Sequence, residues 1–132
     1  MALMLALLLA IGCWDSQERL ERQLVELRTE RTELVDGLHQ EFSQGSFASE
    51  LDEATAGGEM EFIGGLAREV ERETLESNLR LLGSGEHVPT FSKRGREFYA
   101  REDVRVRAVE LVQMDREIER TEAKLGERRD AP

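Results

Sequence analysis

An all-α fold, built of long amphipathic helices that form a coiled-coil rod or an open helical bundle, is what this sequence predicts, and three observations predict it. Leucines recur at alternating steps of three and four, and glycine-rich breaks cut the chain into helix-length pieces. Charged residues make up 35% of the 132 residues and aromatics only 5%. With a mean hydropathy of −0.50, the apolar side chains are too sparse to fill a thick interior and must lie along stripes. A chain of this length has room for one small core.

The first element is MALMLALLLAIG, residues 1–12, an uncharged apolar run that stops at Cys13, Trp14 and Asp15. A membrane-spanning helix needs about 20 apolar residues, whereas the apolar core of a signal peptide needs about 7 to 15. The length therefore predicts a signal peptide over residues 1–12. Ala10-Ile11-Gly12-Cys13 resembles the lipobox of bacterial lipoproteins, whose usual pattern is Leu, a small or aliphatic residue, Gly or Ala, then Cys, with Ala10 standing where Leu is commonest. By that resemblance Cys13 would receive a diacylglycerol thioether, cleavage would follow Gly12, and the new amino terminus would be acylated. Two or three acyl chains anchor stably where one is marginal. The resemblance further implies a bacterial envelope protein, lipid-anchored and periplasm-facing. Trp14 stands where Asp would signal retention in the inner membrane, which implies the outer membrane.

Residues 13–42 read as the lipidated Cys followed at once by a heptad helix. Asp15 and Glu18 have the spacing of a capping box, in which each side chain satisfies a free backbone N–H of the first turn. Leu20, Leu24, Leu27, Leu34 and Leu38 follow, with Arg31 in the one missing position of the seam. At 1.5 Å per residue such a helix is about 40 Å long, and Gly37 weakens its last turns. Residues 43–65 are rich in Ser, Gly, Ala and acids and predict a flexible connector with a short helix near residues 49–55. Met60, Phe62 and Ile63 form an apolar cluster before Gly64-Gly65; two glycines inside a helix cost about 2 kcal/mol relative to alanine, so a hinge is expected there.

Residues 66–126 predict a helical hairpin. Its first arm carries Leu66, Val70, Leu75, Leu79 and Leu82, with one five-residue step, and stops at Gly83-Ser84-Gly85. Pro89 marks a turn, and Ser92 is the expected N-cap of the second arm. In that arm Val104, Leu111, Ile118 and Leu125 fall seven apart with Met114 and Thr121 between them, and Gly126 is the expected end. Residues 127–132 read as a frayed, charged tail.

The net charge of −10 and pI near 4.8 argue against nucleic-acid binding, whose affinity comes from Lys and Arg neutralising phosphates. One cysteine cannot form an internal disulfide. No glycine loop carries the Lys and Ser/Thr of a phosphate cradle. Asp36 and His39 have the i, i+3 spacing of bundle metal ligands, but the other histidine, His87, sits in a turn. The sequence thus assigns no catalytic, metal or cofactor residue, and a non-enzymatic protein is expected. Glu69, Glu71, Glu73 and Glu76, alternating with Arg68, Arg72 and Arg80, read as a solvated helix face.

One cluster stands out from the acidic background: Lys93, Arg94, Arg96, Arg101, Arg105 and Arg107 around Phe98 and Tyr99. It is read either as intramolecular pairing with the preceding helix or as a contact surface for an anionic partner. In the second case Arg94, Arg96 and Arg101 would supply charge, with Phe98 and Tyr99 as apolar anchors. The functional expectation is a helical scaffold or adaptor, joined to a membrane by its lipid and to a protein partner or to a second copy of itself. The alternative is a soluble, secreted helical chaperone or regulator of an envelope protein.

Overall fold

A computed structural model describes residues 2–44 and 60–130, with side chains described within residues 16–127. The fold is all-α: α1 (Ala2–Ser43), α2 (Met60–Glu69), α3 (Arg72–Gly83), α4 (Lys93–Ala100) and α5 (Glu102–Asp130). Residues 45–59, which hold most of the expected connector, and the side chains of Cys13, Met60, Phe62 and Ile63 lie outside the described part. The chain divides into two compact units, Met1–Glu30 with Met114–Pro132, and Arg31–Gln113.

In the second unit Val35, Leu38 and Phe42 of α1 meet Leu75 and Leu79 of α3, Phe98 and Tyr99 of α4, and Val104, Ala108 and Leu111 of α5 in one core. Most of these side chains are completely excluded from water, at 0% exposure for Val35, Leu38, Leu75, Leu79, Val104, Ala108 and Leu111. Arg31, the cation in the heptad seam, is half-buried here and ion-paired with Glu76 of α3. A charge can occupy a seam position when an opposite charge from a neighbouring helix reaches it before water is lost.

In the first unit, Thr121 and Leu125 of α5 are buried, while Leu20, Leu24 and Leu27 of α1 and Ile118 of α5 are half-buried. The Thr121 hydroxyl donates to the Glu117 carbonyl at 2.8 Å, which satisfies a polar group in a seam position. Arg28 Nη2 lies 2.6 Å from Glu122 Oε1, an exposed pair that bridges the two helices.

Five boundaries differ from the expectations. α1 begins at Ala2 and passes through Asp15 and Glu18 without a cap, because the Ala, Leu and Met of its first turns are themselves strong helix formers. The Gly64-Gly65 hinge is not there: both glycines lie inside α2. Gly65 has a packing reason instead, since a Cβ on it would run into the Phe91 ring. The first hairpin arm breaks at Val70 and Glu71, where Glu71 N–H donates to the Arg68 carbonyl at 3.1 Å and α3 restarts with Glu71 in extended backbone. That break falls within the five-residue step: in one helix Val70 and Leu75 would point about 140° apart, and a turn between them brings both to the core.

The second arm breaks at Arg101, again extended. In one unbroken helix Phe98 and Tyr99 would point about 120° and 140° away from Val104, on opposite sides; the corner turns all three inward. Residues 66–126 are therefore four helical pieces rather than a two-armed hairpin. α5 also continues through Gly126 to Asp130, so residues 127–130 are helix and not tail. Two signals act as read. Ser92 caps α4, its Oγ accepting from Gly95 N–H at 2.9 Å. Gly85, at φ 76°, ends α3, with Glu86 N–H donating to the Leu81 carbonyl at 2.9 Å and Gly85 N–H to Leu82 at 3.1 Å, the paired bonds of a Schellman stop.

Candidate functional site

The basic and aromatic cluster is built around the α4–α5 corner, and the structure separates its members. Phe98 and Tyr99 are buried, at 6% and 5% exposure, and belong to the core of their unit rather than to its surface. Phe42 fills the space between them, its centroid 4.8 Å from Phe98 and 6.0 Å from Tyr99, while Phe98 and Tyr99 meet edge to face at 5.2 Å and 83°. Tilted and edge-on rings place positive edges against negative faces, a gain of about 0.5–1.5 kcal/mol per pair beyond burial. The Tyr99 hydroxyl accepts from Asn78 Nδ2 at 3.3 Å. Burial, opposed by the Asn78 hydrogen bond and reinforced by Glu69, pushes the Tyr99 hydroxyl up to about 12.

Arg101 is committed inside the molecule. Its Nε and Nη2 donate to the two carboxylate oxygens of Asp103 at 3.0 and 2.6 Å, and Nη2 also lies 2.6 Å from Glu41 Oε1 of α1. The guanidinium stands 5.6 Å from the Phe98 ring centroid. Its hydrogen bonds to Asp103 and then to Glu41 hold Arg101 more firmly charged than a free arginine, and the same contact keeps Asp103 below the usual carboxylate range. Arg107 lies 3.7 Å from Glu41, Arg105 2.5 Å from Glu102, and Lys93 3.8 Å from Glu97. Arg94 Nη2 donates to the Gln44 carbonyl at 3.2 Å. Arg96 is exposed, and no carboxylate pairs with it among the described residues. Within the cluster Arg101 and Arg107 pair with Glu41 of α1, Lys93 and Arg105 pair within their own helices, and Arg96 stays exposed.

The acidic run on α2 and α3 is not a uniformly solvated face either. Glu69 is buried at 4% exposure. Its Oε2 accepts from Phe91 and Ser92 N–H at 3.2 and 2.9 Å, and its Oε1 from Ser92 Oγ at 3.2 Å. The carboxylate thereby closes the N-terminus of α4, where the helix dipole favours negative charge. Gly95 is needed there, because a Cβ would collide with Glu69 Oε1. Glu76, half-buried, receives Arg31, Arg72 at 3.5 Å and Arg80 at 2.9 Å. No spacing rule singled out Glu69 or Glu76 from their exposed neighbours; only the helices that pack over them do.

Asp36 and His39 are also in use: Asp36 accepts from Arg72 Nε at 2.7 Å, and His39 Nε2 lies 2.7 Å from the Val70 carbonyl at the α2–α3 turn. Among the described residues no group of three or more His, Cys, Asp and Glu is arranged to hold a metal ion. An open groove of about 380 Å³ runs along α1 beside Glu18, Glu21, Arg22, Val25 and Glu26. Such a lining is too charged for the mostly apolar pockets that take small molecules. Cys13 lies within α1, its backbone helical on both sides. Among the described residues no helix is long and apolar enough to cross a membrane. The chain matches no protein-family model, no curated protein and no solved structure.

Proposed function

We propose that the chain is a lipid-anchored helical scaffold or adaptor of a bacterial envelope, tethered through Cys13 and facing the periplasm, whose work is binding rather than catalysis. The observation that supports this reading is the uncharged apolar run of residues 1–12 that stops at Cys13, too short to span a bilayer and of the length of a signal-peptide core.

Cleavage after Gly12 would leave Cys13 in the first turn of a helix with no loop between anchor and body. Asp15 and Glu18 would then sit in the first turns of the shortened helix, where they favour it through the dipole and free amides. The capping box has no end to cap in the full chain and acquires one in the cleaved chain.

Mass spectrometry of the chain recovered from bacterial membranes tests the reading. The expected product begins at Cys13 and carries a diacylglycerol and an amide-linked acyl group, and Cys13→Ser releases the chain from the membrane fraction. An unmodified Cys13 thiol overturns it; with residues 1–12 also absent, the soluble secreted chaperone or regulator takes its place.

A further inference from the structure

We draw no further inference here: the strongest candidate, the apolar surface patch of Val106 and Val109 on α5 in the second unit, 48% and 39% exposed, carries nothing because nothing in the structure shows what covers it.

Discussion

The heptad stripe of α1 is the same kind of sequence before and after residue 30, yet it is buried to different depths. Leu20, Leu24 and Leu27 in the first unit are half-buried, whereas Val35, Leu38 and Phe42 in the second are 0–1% exposed. The difference lies in what surrounds the stripe. In the first unit one helix, α5, lies alongside, and two helices leave the flanks of a seam open to water. In the second, α3 and α4 add Leu75, Leu79, Phe98 and Tyr99 and close those flanks. Burial contributes about 25 cal/mol per Å² of apolar surface, so equal leucines contribute unequally, and local opening should begin in the first unit.

The largest effect that tests this contrast is a truncation in each stripe. Phe42→Ala is expected to cost about 3–5 kcal/mol, the range for a fully buried aromatic with its cavity, and Leu24→Ala about 1–2 kcal/mol. Chemical denaturation of each variant measures both, and a Leu24→Ala loss equal to that of Phe42→Ala would remove the contrast.

Next in size is an alkaline effect confined to the second unit. Tyr99 is raised from about 10 to about 12 by burial, so the unfolded chain loses its proton first as pH rises. The stabilisation is complete below pH 10 and falls between pH 10 and 12, by at most about 2–3 kcal/mol at 1.36 kcal/mol per unit. Tyr99→Phe should be weaker at neutral pH by about 1 kcal/mol, because Asn78 loses its partner, and should lack that alkaline fall. Parallel falls in both proteins would show that Tyr99 is not the group responsible.

Hydrogen exchange sharpens the comparison along a single helix. Amides of residues 104–111 should exchange at least about tenfold more slowly than those of residues 118–125, a difference of about 1.4 kcal/mol in opening free energy. Uniform protection along α5 would argue that the two units open together. The smallest effect is expected at the ion pairs. Arg28→Ala removes a contact whose side chains are 57% and 47% exposed and should change stability by less than about 1 kcal/mol. Arg31→Ala, at 16% exposure on both sides, should cost more; equal losses would mean that the seam around Arg31 is as wet as the one around Arg28.

Much of the fold was legible in the residues. The leucine spacing marks α1 and α5 as long helices, Ser92 declares the start of α4, and Gly83-Ser84-Gly85 the end of α3. These are local signals: a side chain of the right length beside free amides, or a residue that accepts positive φ, acts wherever the chain goes. The breaks at Val70–Glu71 and at Arg101 carry no glycine or proline and were missed. The five-residue step from Val70 to Leu75 is the trace of the first break alone, visible as an irregular period in the apolar stripe. Gly64-Gly65 carries the opposite signal, two helix-weakening residues inside a helix, with the Phe91 ring lying against Gly65.

The basic and aromatic cluster was legible only as two alternatives, for a related reason. A cluster of arginines around two aromatics has the composition of an interface, and composition does not say which faces are already covered. Phe98 and Tyr99 are covered by Phe42, more than fifty residues earlier in the chain, and the exposed Arg101 is paired with Glu41 beside it.

By itself the sequence determined that this chain is helical, that its apolar residues fall in stripes, and that an uncharged apolar segment ends at Cys13. Those properties follow from spacing and from the preferences of individual residues, which operate over a few turns of helix. Only the tertiary structure decided which parts of the stripes are dry, where helices bend to bring Val70, Phe98 and Tyr99 inward, and that Glu69 and Glu76 are structural carboxylates. Burial and pairing depend on residues far apart in the chain, and a period says which side chains share a face but not what will cover it.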